Sequence, residues 1–554
     1  MRFLEHYNRV FFMEKILVLS FSLLLSSIHC LPSTLNTQYL NICDQTPYPQ
    51  ICNSLIISDV LPTSSLRETT LVIRNTALKV TLDHARKVHG VMSSVDFSSF
   101  EDHQAKVAWE DCLELYKDTI HELNHTIISS SSRSSITKHD IQTYLSAANT
   151  NLETCKNGFN DLNVTIKNQE LFGFALNNFT QLLTNTLAIN GAISKSSTIP
   201  FKPYTGGGGG GGGGRRLLAS GFPSWISKHD HKLLYSSMST AKLADLVVAK
   251  DGSGNYKTIS EAVAAAKHLR NRIRRFIIYV KAGIYKENVV ITNKMVNLML
   301  IGDGIDVTIV SANKNVYDGC TTFRSATFAI SGNGFIAFEN TAGPQKHQAV
   351  ALRSGSDFSI FYRCSFKGYQ DTLYVYSKRQ FYKECDIYGT VDFIFGNAAA
   401  VIQNCNIYAR RPMTNQKNTI TAQGRSDPNE NTGIVIHDSI IEAASDLKLI
   451  QGSCQTFLGR PWKMYSRTVI MKSNIDGFVD RAGWTPWDGE FAVKTLYYAE
   501  YMNNGAGAGT WGRVKWPGYH VITSPIEAGK FTVGNFVGGD KWIPATGVPF
   551  TSGL

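Results

Sequence analysis

The sequence predicts a mainly β protein in two parts, an all-α bundle followed by a right-handed parallel β-helix. In the first part, segment 105–123 carries apolar residues at three- and four-residue spacing, which indicates an amphipathic helix. After residue 245 the pattern changes to short β-rich runs separated by Gly, Asn and Asp. An apolar strand with a cysteine returns at Cys364, Cys385 and Cys405, at nearly equal intervals. One strand per period of about 20 residues is typical of a solenoid.

The β-rich part spans residues 245–554, with one helix-like stretch at 258–270. Because its repeats are β-rich, a right-handed parallel β-helix is the architecture we predict. A β-sandwich is the alternative, but the regular hairpin signals that it requires are few.

The helical region, defined here as residues 36–192, lacks strand-like alternation. Segments 140–154 and 168–190 repeat the helical spacing less cleanly than 105–123 does, and together they predict a helical bundle. Cys43 and Cys52 are nine residues apart, the spacing of a small disulfide-stapled hairpin.

Residues 193–244 form a predicted linker between the two parts. They include nine consecutive glycines, Gly206–Gly214, which cannot hold a fixed backbone. The following pair, Arg215 and Arg216, predicts a site accessible to a processing protease. The alternative for this pair is two solvated arginines.

Composition narrows the class of protein and the kind of partner. The 554 residues are 18% charged and 43% hydrophobic, which excludes a mainly disordered chain. Residues 1–216 carry 18 basic and 18 acidic side chains, whereas residues 217–554 carry 37 and 26. The whole net charge of +11 therefore belongs to the β-rich part. A basic surface predicts an acidic partner, which is a nucleic acid, an anionic membrane or an acidic polymer.

The N-terminus predicts entry into the secretory pathway. Within residues 1–30, the apolar run 16–28 has the length of a signal-peptide core and is short for a transmembrane helix. Retention of this segment as a membrane anchor is the alternative. Ten cysteines are compatible with disulfides in an oxidising compartment. Glycosylation sequons begin at Asn124, Asn163 and Asn178.

Two acidic residues are spaced by one period of the repeat. Asp371 and Asp392 are as far apart in sequence as Cys364 and Cys385, so they should lie on neighbouring coils of a β-helix. Gln370 precedes Asp371, and Gln348 lies about one period before Gln370, so a third coil is expected to add an amide.

Either acid alone could instead close a turn, or lie in the core with its hydrogen bonds satisfied. Two stacked acids between apolar residues instead separate in pKa, one ionised and one protonated, as acid–base or nucleophilic chemistry requires.

Arg460 and Trp462 are the predicted partners of these acids. Arginine can hold a carboxylate ionised and oriented, and an exposed tryptophan can stack on a sugar ring. By itself Arg-Pro-Trp is an ordinary turn at a strand end. The sequence has no Gly-x-Ser-x-Gly elbow, no His-Glu-x-x-His and no phosphate-binding loop.

With these residues in hand, the β-rich part resembles the plant pectin methylesterases (pectinesterases). The resemblance covers nearly all of 245–550 and includes VVAKDGSGNYKTISEAV, NTAGPQKHQAVALR, GYQDTLY, GTVDFIFGNAA, LGRPWK and GWTPWDG. The helical region resembles the pectin methylesterase inhibitor domain through its segments around Cys43, Cys112 and Cys155. RRLL at 215–218 is similar to the family's processing motif. The resemblance implies a four-helix inhibitor-like pro-region and a right-handed parallel β-helix enzyme.

The resemblance also implies roles and pairings for individual residues. Asp392 matches the nucleophile, Asp371 the proton donor and later base, and Arg460 the residue that orients Asp392. The remaining positions implied are the oxyanion amides Gln348 and Gln370, the substrate-binding residues Thr322, Gln348, Arg460 and Trp462, and the disulfides Cys364–Cys385, Cys43–Cys52 and Cys112–Cys155. No metal or organic cofactor is expected.

Residues 334–343 depart from the family pattern, because this stretch is four residues shorter than in the family. The shortening removes part of a strand and turn just upstream of Gln348. Cys320 stands where the family usually has serine, which adds a candidate unpaired thiol.

The function expected is a secreted cell-wall enzyme with an autoinhibitory pro-region that hydrolyses the methyl esters of pectin. The first alternative is a catalytically impaired pectin-binding or inhibitor protein, and the second is a pectate lyase or polygalacturonase. The partner of the basic part becomes a wall polyuronate, not a nucleic acid, and a membrane is a partner only if the N-terminal segment is retained.

Overall fold

The computed structural model describes residues 42–56, 66–95, 102–131, 138–164, 169–196, 244–269, 275–295, 297–330 and 337–554. The predicted signal segment 1–30, the glycine run and the Arg215–Arg216 pair lie outside the described residues, as do residues 334–336 of the shortened segment.

The helical region is built around four long helices. Its helices are α1 (Pro49–Ile56), α2 (Leu66–Ser93), α3 (His103–Ser131), α4 (Lys138–Asp161) and α5 (Gln169–Ser196). Helix α2 packs against α3 and α5, and α4 packs against the same two helices, which closes a four-helix bundle. The disulfide Cys43–Cys52 ties α1 to the segment before it, and Cys112–Cys155 joins α3 to α4.

The second part consists of short strands. They are β1 (Leu246–Val248), β2 (Phe276–Val280), β3 (Gly283–Lys286), β4 (Val289–Ile291), β5 (Leu298–Gly302), β6 (Thr308–Ala312), β7 (Phe328–Ile330), β8 (Ala337–Asn340), β9 (Leu352–Ser354), β10 (Ser359–Tyr362), β11 (Ser365–Lys367), β12 (Leu373–Val375), β13 (Arg379–Lys383), β14 (Asp386–Gly389), β15 (Ile394–Gly396), β16 (Ala399–Gln403), β17 (Asn406–Ala409), β18 (Asn418–Gln423), β19 (Gly433–His437), β20 (Ile440–Ala443), β21 (Thr456–Gly459), β22 (Arg467–Met471), β23 (Asn474–Ile475), β24 (Tyr497–Tyr501) and β25 (Tyr519–Val521). Helices in this part are α6 (Ile259–Leu269), α7 (Ser445–Lys448), α8 (Pro525–Gly529) and α9 (Val533–Phe536).

Most of the strands stack into three long parallel sheets, as a β-helix requires, and β1, β2 and β5 form a separate short sheet. The sheet orders are β10-β13-β16-β19-β22-β24-β25, β23-β20-β17-β14-β11-β8-β6-β3 and β21-β18-β15-β12-β9-β7-β4. Each coil gives one strand to each sheet, so residues one coil apart pair in register. Phe366, for example, pairs with Ile387 and Ile387 with Ile407, and all three are fully buried. The predicted mainly β class and coil architecture are confirmed.

The cysteine repeat forms a column of thiols inside the β-helix. The predicted Cys364–Cys385 disulfide is wrong in this structure, because neither sulfur is in a disulfide. Cys364, Cys385 and Cys405 precede residues that pair in register, so Cys385 has a thiol neighbour on each side. The Cys385 thiol donates to the carbonyl of Phe361 at 3.3 Å, and the Cys385 backbone N–H donates to Cys405 Sγ at 3.3 Å. Hydrogen bonds to neighbouring coils thus take the place of the bridge that the family pattern implies.

The shortened segment keeps its strand within the stack. Strand β8, which begins just after the part of this segment outside the described residues, pairs with β6 on one side and β11 on the other. Asn340 at its end donates to the carbonyl of Val350 at 3.1 Å. The strand that leads to Gln348 therefore keeps a paired strand on each side.

The helical region packs on the outer face of the sheet that contains β9, β12 and β15. One buried apolar cluster combines side chains of α3 and α4 with Phe323, Tyr374, Tyr376 and Phe395 of the β-helix. Of the helices within the described ranges, none combines the length and the apolar character needed to cross a bilayer.

Candidate active site

Asp371 and Asp392 lie at the same corner of two successive coils. Each ends a turn with a left-handed backbone, φ 62° and φ 52°, a conformation that Asp tolerates better than most residues. Leu373 pairs with Ile394 two residues further on, and the Asp371 N–H donates to the Val391 carbonyl at 3.0 Å. The two acids are therefore neighbours along the β-helix, as their spacing of one period predicts.

Asp392 is held by a fork of hydrogen bonds. Arg460 Nε donates to Oδ1 at 2.8 Å and Arg460 Nη2 donates to Oδ2 at 2.6 Å. Thr419 Oγ1 donates to Oδ1 at 2.7 Å and accepts the Asp392 backbone N–H at 2.8 Å. Charge-assisted bidentate bonds of this kind favour the ionised carboxylate and fix its orientation. Burial lowers the pKa of Arg460, but its bonds to Asp392 outweigh burial and raise that pKa.

Asp371 has the opposite electrostatic environment. Burial raises its pKa well above the usual range, the negative charges of Asp392 and Asp161 raise it further, and Arg460 only partly opposes them. The side chain is 7% exposed. The corner therefore places Asp371, whose protonated form is favoured by burial, beside Asp392, whose oxygens accept the hydrogen bonds of Arg460 and Thr419.

A cavity of about 290 Å³ opens over these two acids. Its β-helix walls contain every catalytic and substrate-binding residue that the resemblance implies, namely Thr322, Gln348, Gln370, Asp371, Asp392, Arg460 and Trp462. These residues lie close together because most of them directly follow or precede strands of one sheet on successive coils. No cluster of three or more His, Cys, Asp or Glu side chains within the described ranges is arranged to hold a metal ion.

Sequence reasoning missed four aromatic residues of this cavity, Phe323, Tyr374, Phe395 and Trp487. Tyr374 and Phe395 pair in register and stack with ring centroids 4.2 Å apart. The Arg460 guanidinium lies 4.3 Å from the Trp487 ring centroid. Trp487 belongs to the motif GWTPWDG, which the sequence analysis identified. The motif did not indicate that this residue lies at the cavity. An aromatic floor suits the apolar faces of sugar rings.

The helical region forms the remaining wall of the cavity. Thr154, Asn157, Gly158, Asn160 and Asp161, all of α4, line it. Asp161 Oδ2 accepts the backbone N–H of Thr322 at 3.0 Å. Lys463 Nζ donates to Glu153 Oε2 at 3.0 Å and to Asn157 Oδ1 at 3.1 Å. The end of α4 therefore sits directly over the paired acids.

The three predicted glycosylation asparagines differ in exposure. Asn163 is exposed, whereas Asn124 on α3 and Asn178 on α5 are half-buried. Asn124 Oδ1 already accepts a bond from Arg86 at 3.1 Å. Asn163 is thus the most accessible of the three.

Comparison with known proteins assigns both parts of the chain. The family model described as Pectinesterase matches residues 245–540, and the model described as Plant invertase/pectin methylesterase inhibitor matches residues 39–189. A protein named Probable pectinesterase/pectinesterase inhibitor 6, from Arabidopsis thaliana, is 53% identical over 94% of this chain and 95% of its own. The chain belongs to the pectinesterase family. Pectinesterase 2 of Citrus sinensis is 51% identical over 92% of this chain and 94% of its own.

A solved relative matches just over half of this chain. The pectin methylesterase from carrot is 58% identical, with a TM-score of 0.54, and the match covers 56% of this chain and 98% of the carrot chain. Just over half of this chain therefore accounts for nearly the whole of the carrot chain. This chain is a pectinesterase preceded by an inhibitor-like helical region.

Proposed function

We propose that the β-helix hydrolyses the methyl esters of pectin (homogalacturonan) to pectate and methanol during cell-wall modification. The observation that carries the proposal is the pair of stacked acids in different surroundings, with both oxygens of Asp392 bound by Arg460 and with the pKa of Asp371 raised by burial. Two glutamines on the same cavity wall supply the neutral amides that ester hydrolysis needs.

In the first half of the reaction Asp392 acts as the nucleophile. Its carboxylate attacks the ester carbonyl carbon, and a tetrahedral intermediate forms whose negative oxygen accepts hydrogen bonds from Gln348 and Gln370. As the bond to the methoxy oxygen breaks, the Asp371 carboxyl gives up its proton and methanol leaves. Arg460 keeps the attacking carboxylate of Asp392 oriented toward the ester carbonyl carbon during this half of the reaction.

In the second half Asp371 acts as the base. It now carries a negative charge and removes a proton from water, whose oxygen attacks the carbonyl of the acyl-enzyme. The bond to Asp392 breaks, which restores its carboxylate, and the galacturonate unit leaves with a free acid group. The raised pKa of Asp371 supports both roles, because the group must hold a proton before the first step and recover it in the second. Thr322, Trp462 and the aromatic floor would position the sugar units.

We further propose that the helical region is an autoinhibitory pro-region. The end of α4 lines the cavity, and Asp161 occupies the backbone N–H of Thr322. A polymer cannot reach the paired acids while α4 lies there. Cleavage at Arg215–Arg216, within the proposed linker 193–244, would release the β-helix domain of residues 245–554 from the helical domain of residues 36–192.

Secretion to the cell wall completes the proposal. Two disulfides in the helical region suit an oxidising compartment, and residues 1–30 would direct the chain there and be removed. Attachment of sugar at Asn163, Asn124 or Asn178 follows from the same route.

Methanol release tests the proposed function. Fragment 217–554 and its Asp392→Ala variant would be incubated with highly methylated pectin, with the intact chain measured in parallel. We expect release by the fragment, none above background by the variant, and strongly reduced release by the intact chain. A fragment no more active than Asp392→Ala would refute the esterase proposal, and an intact chain as active as the fragment would refute autoinhibition.

A further inference from the structure

A buried arginine beside the active site makes no ion pair with any of the described residues. Arg353 on β9 is 8% exposed, and its Nε is buried without a hydrogen bond there. Its side chain makes no hydrogen bond or ion pair with any residue in the described ranges. The guanidinium lies flat over Phe323, 3.4 Å from the ring centroid, which supplies a cation–π contact but no acceptor. Burying a cation without a hydrogen bond costs free energy. The carboxyl groups that act on the charge of Arg353, including Glu114 and Asp118, belong to the helical region, so its departure would leave the position open to another anion.

Lys378 lies beside Arg353 and is paired only through the helical region, within the part of the chain that the structure describes. Its Nζ contacts Glu122 Oε1 of α3 at 2.6 Å, and the two side chains are 10% and 4% exposed. A small void of about 10 Å³ is lined by Arg353, Lys378, Glu122 and Asp118. The β-helix side of this void therefore carries two cations, and the helical side carries two carboxyl groups.

Arg353 continues the floor of the catalytic cavity. Arg353 pairs in register with Tyr374, and Tyr374 pairs with Phe395. Residues paired in register on parallel strands face the same side of the sheet. Arg353 is therefore one coil from Tyr374, which lines the cavity that contains Asp371 and Asp392.

The ion pairs between the two parts all have the same polarity. In every ion pair found between described residues of the two parts, the helical region supplies the acid and the β-helix the base. These pairs are Arg324–Asp111, Arg324–Glu114, Lys378–Glu122, Arg379–Asp140 and Lys463–Glu153. A surface that receives a row of carboxylates from its own pro-region is suited to the carboxylates of a polyuronate.

We propose that Arg353 and Lys378 form a subsite for the free carboxylate of a de-esterified galacturonate unit next to the ester being hydrolysed. This inference rests on the proposed function and assigns two specificity residues to it. Glu122 occupies the subsite in the uncleaved chain as a mimic of the substrate carboxylate. When the helical region leaves, Lys378 loses its partner, and the sugar carboxylate takes its place and provides an acceptor for Arg353.

Binding of two matched ligands tests the subsite. Fragment 217–554 and its Arg353→Gln and Lys378→Gln variants would be titrated with a de-esterified oligogalacturonate and with the same oligomer fully methylated. Loss of one charge-assisted bond should weaken binding of the de-esterified oligomer by about tenfold for each variant. Binding of the methylated oligomer should stay unchanged. Arg363→Gln and Lys472→Gln remove the same charges at a corner outside this sheet and should match the unmodified fragment.

Each outcome is decisive for one of the two proposals. If both variants bind the de-esterified oligomer as tightly as the unmodified fragment, or lose affinity equally for both ligands, the subsite is wrong. Should Arg353→Gln fail to fold, as judged by circular dichroism, Lys378→Gln decides the matter alone, because release of the helical region leaves Lys378 at the surface. A fragment that shows the predicted binding but releases no methanol would refute the esterase and leave the subsite standing.

Discussion

Arg460 donates a hydrogen bond to each carboxylate oxygen of Asp392, with Nε 2.8 Å from Oδ1 and Nη2 2.6 Å from Oδ2. This fork ties the end of β21 to the corner before β15, two coils apart in the stack. It fixes the orientation of the Asp392 carboxylate. Neighbouring Asp371 has no such fork among the described residues, and burial, followed by the charge of Asp392, raises its pKa well above the usual range.

Replacement of the fork by a single point charge should slow the chemical step. In fragment 217–554, Arg460→Lys keeps the positive charge but can make only one directed bond to Asp392. We expect kcat to fall about 10- to 100-fold, the equivalent of one bond to a charged group. Steady-state methanol release measures this, with Arg363→Lys at an exposed ion pair as the control. Unchanged kcat in Arg460→Lys would show that the fork is not needed for catalysis.

Thr419 should act as a positioning residue for the same carboxylate. Its hydroxyl both donates to Asp392 Oδ1 and accepts the Asp392 N–H. Thr419→Val keeps the shape and removes both bonds, so we expect kcat to fall about tenfold with little change in KM.

Thr327→Val provides the matched control for Thr419→Val. Its hydroxyl is buried next to the same sheet without a hydrogen-bond partner within the described residues, so this variant should keep full kcat. Equal losses in both threonine variants would indicate a general effect on the β-helix. Restoration of kcat by Thr419→Ser would support positioning by the hydroxyl.

Docking of the helical region should weaken as the pH rises. Burial, and then the charge of Glu122, raises the pKa of Asp118 to about 6 from its ordinary value of 3.8, while Lys378 and Arg353 oppose the shift. Asn293 of the β-helix donates to Asp118 at 2.8 Å, so the contact that buries this carboxyl is made by docking. A raised pKa means that docking takes up a proton. The contribution of Asp118 to the free energy of docking is complete below pH 4 and is lost as the pH rises through 6.

The ratio of intact-chain to fragment activity isolates this effect, because the pH dependence of catalysis cancels. We expect the ratio to rise between pH 4 and pH 6, by at most about tenfold per pH unit from this one group. Asp118→Asn should flatten that part of the profile. A wild-type ratio that stays constant over this range, or an equally steep Asp118→Asn profile, would contradict the assignment.

The Cys112–Cys155 disulfide should stabilise the helical region and thereby its inhibition. The bridge joins α3 to α4 across 43 residues of sequence. Its removal in the double variant Cys112→Ser, Cys155→Ser should lower the free energy of unfolding of the helical region by about 3–4 kcal/mol. Thermal unfolding of the intact chain should show an earlier first transition, together with higher methanol release. Cys454→Ser, which alters a half-buried thiol outside any disulfide, should change neither.

Thr419 illustrates why periodicity located some of the site and not the rest. The step from Asp371 to Asp392 equals one coil of the cysteine repeat, so the spacing alone stacks them. The next step in the same sheet, from Ile394 to Thr421, is longer than one period, because the connection between β17 and β18 is extended. A fixed period therefore passes over Thr419, and only pairing of the strands reveals it.

The sequence by itself determined which elements form and which polar residues share a corner, because helical spacing and the coil repeat are local properties of the chain. The tertiary structure alone decided what faces that corner. It placed Trp487 on Arg460, left Cys364 and Cys385 without a bridge between them, and set Asp161 and Glu122 against the β-helix. These contacts join surfaces that are far apart in sequence and are selected by shape and charge, so no repeat within either part encodes them.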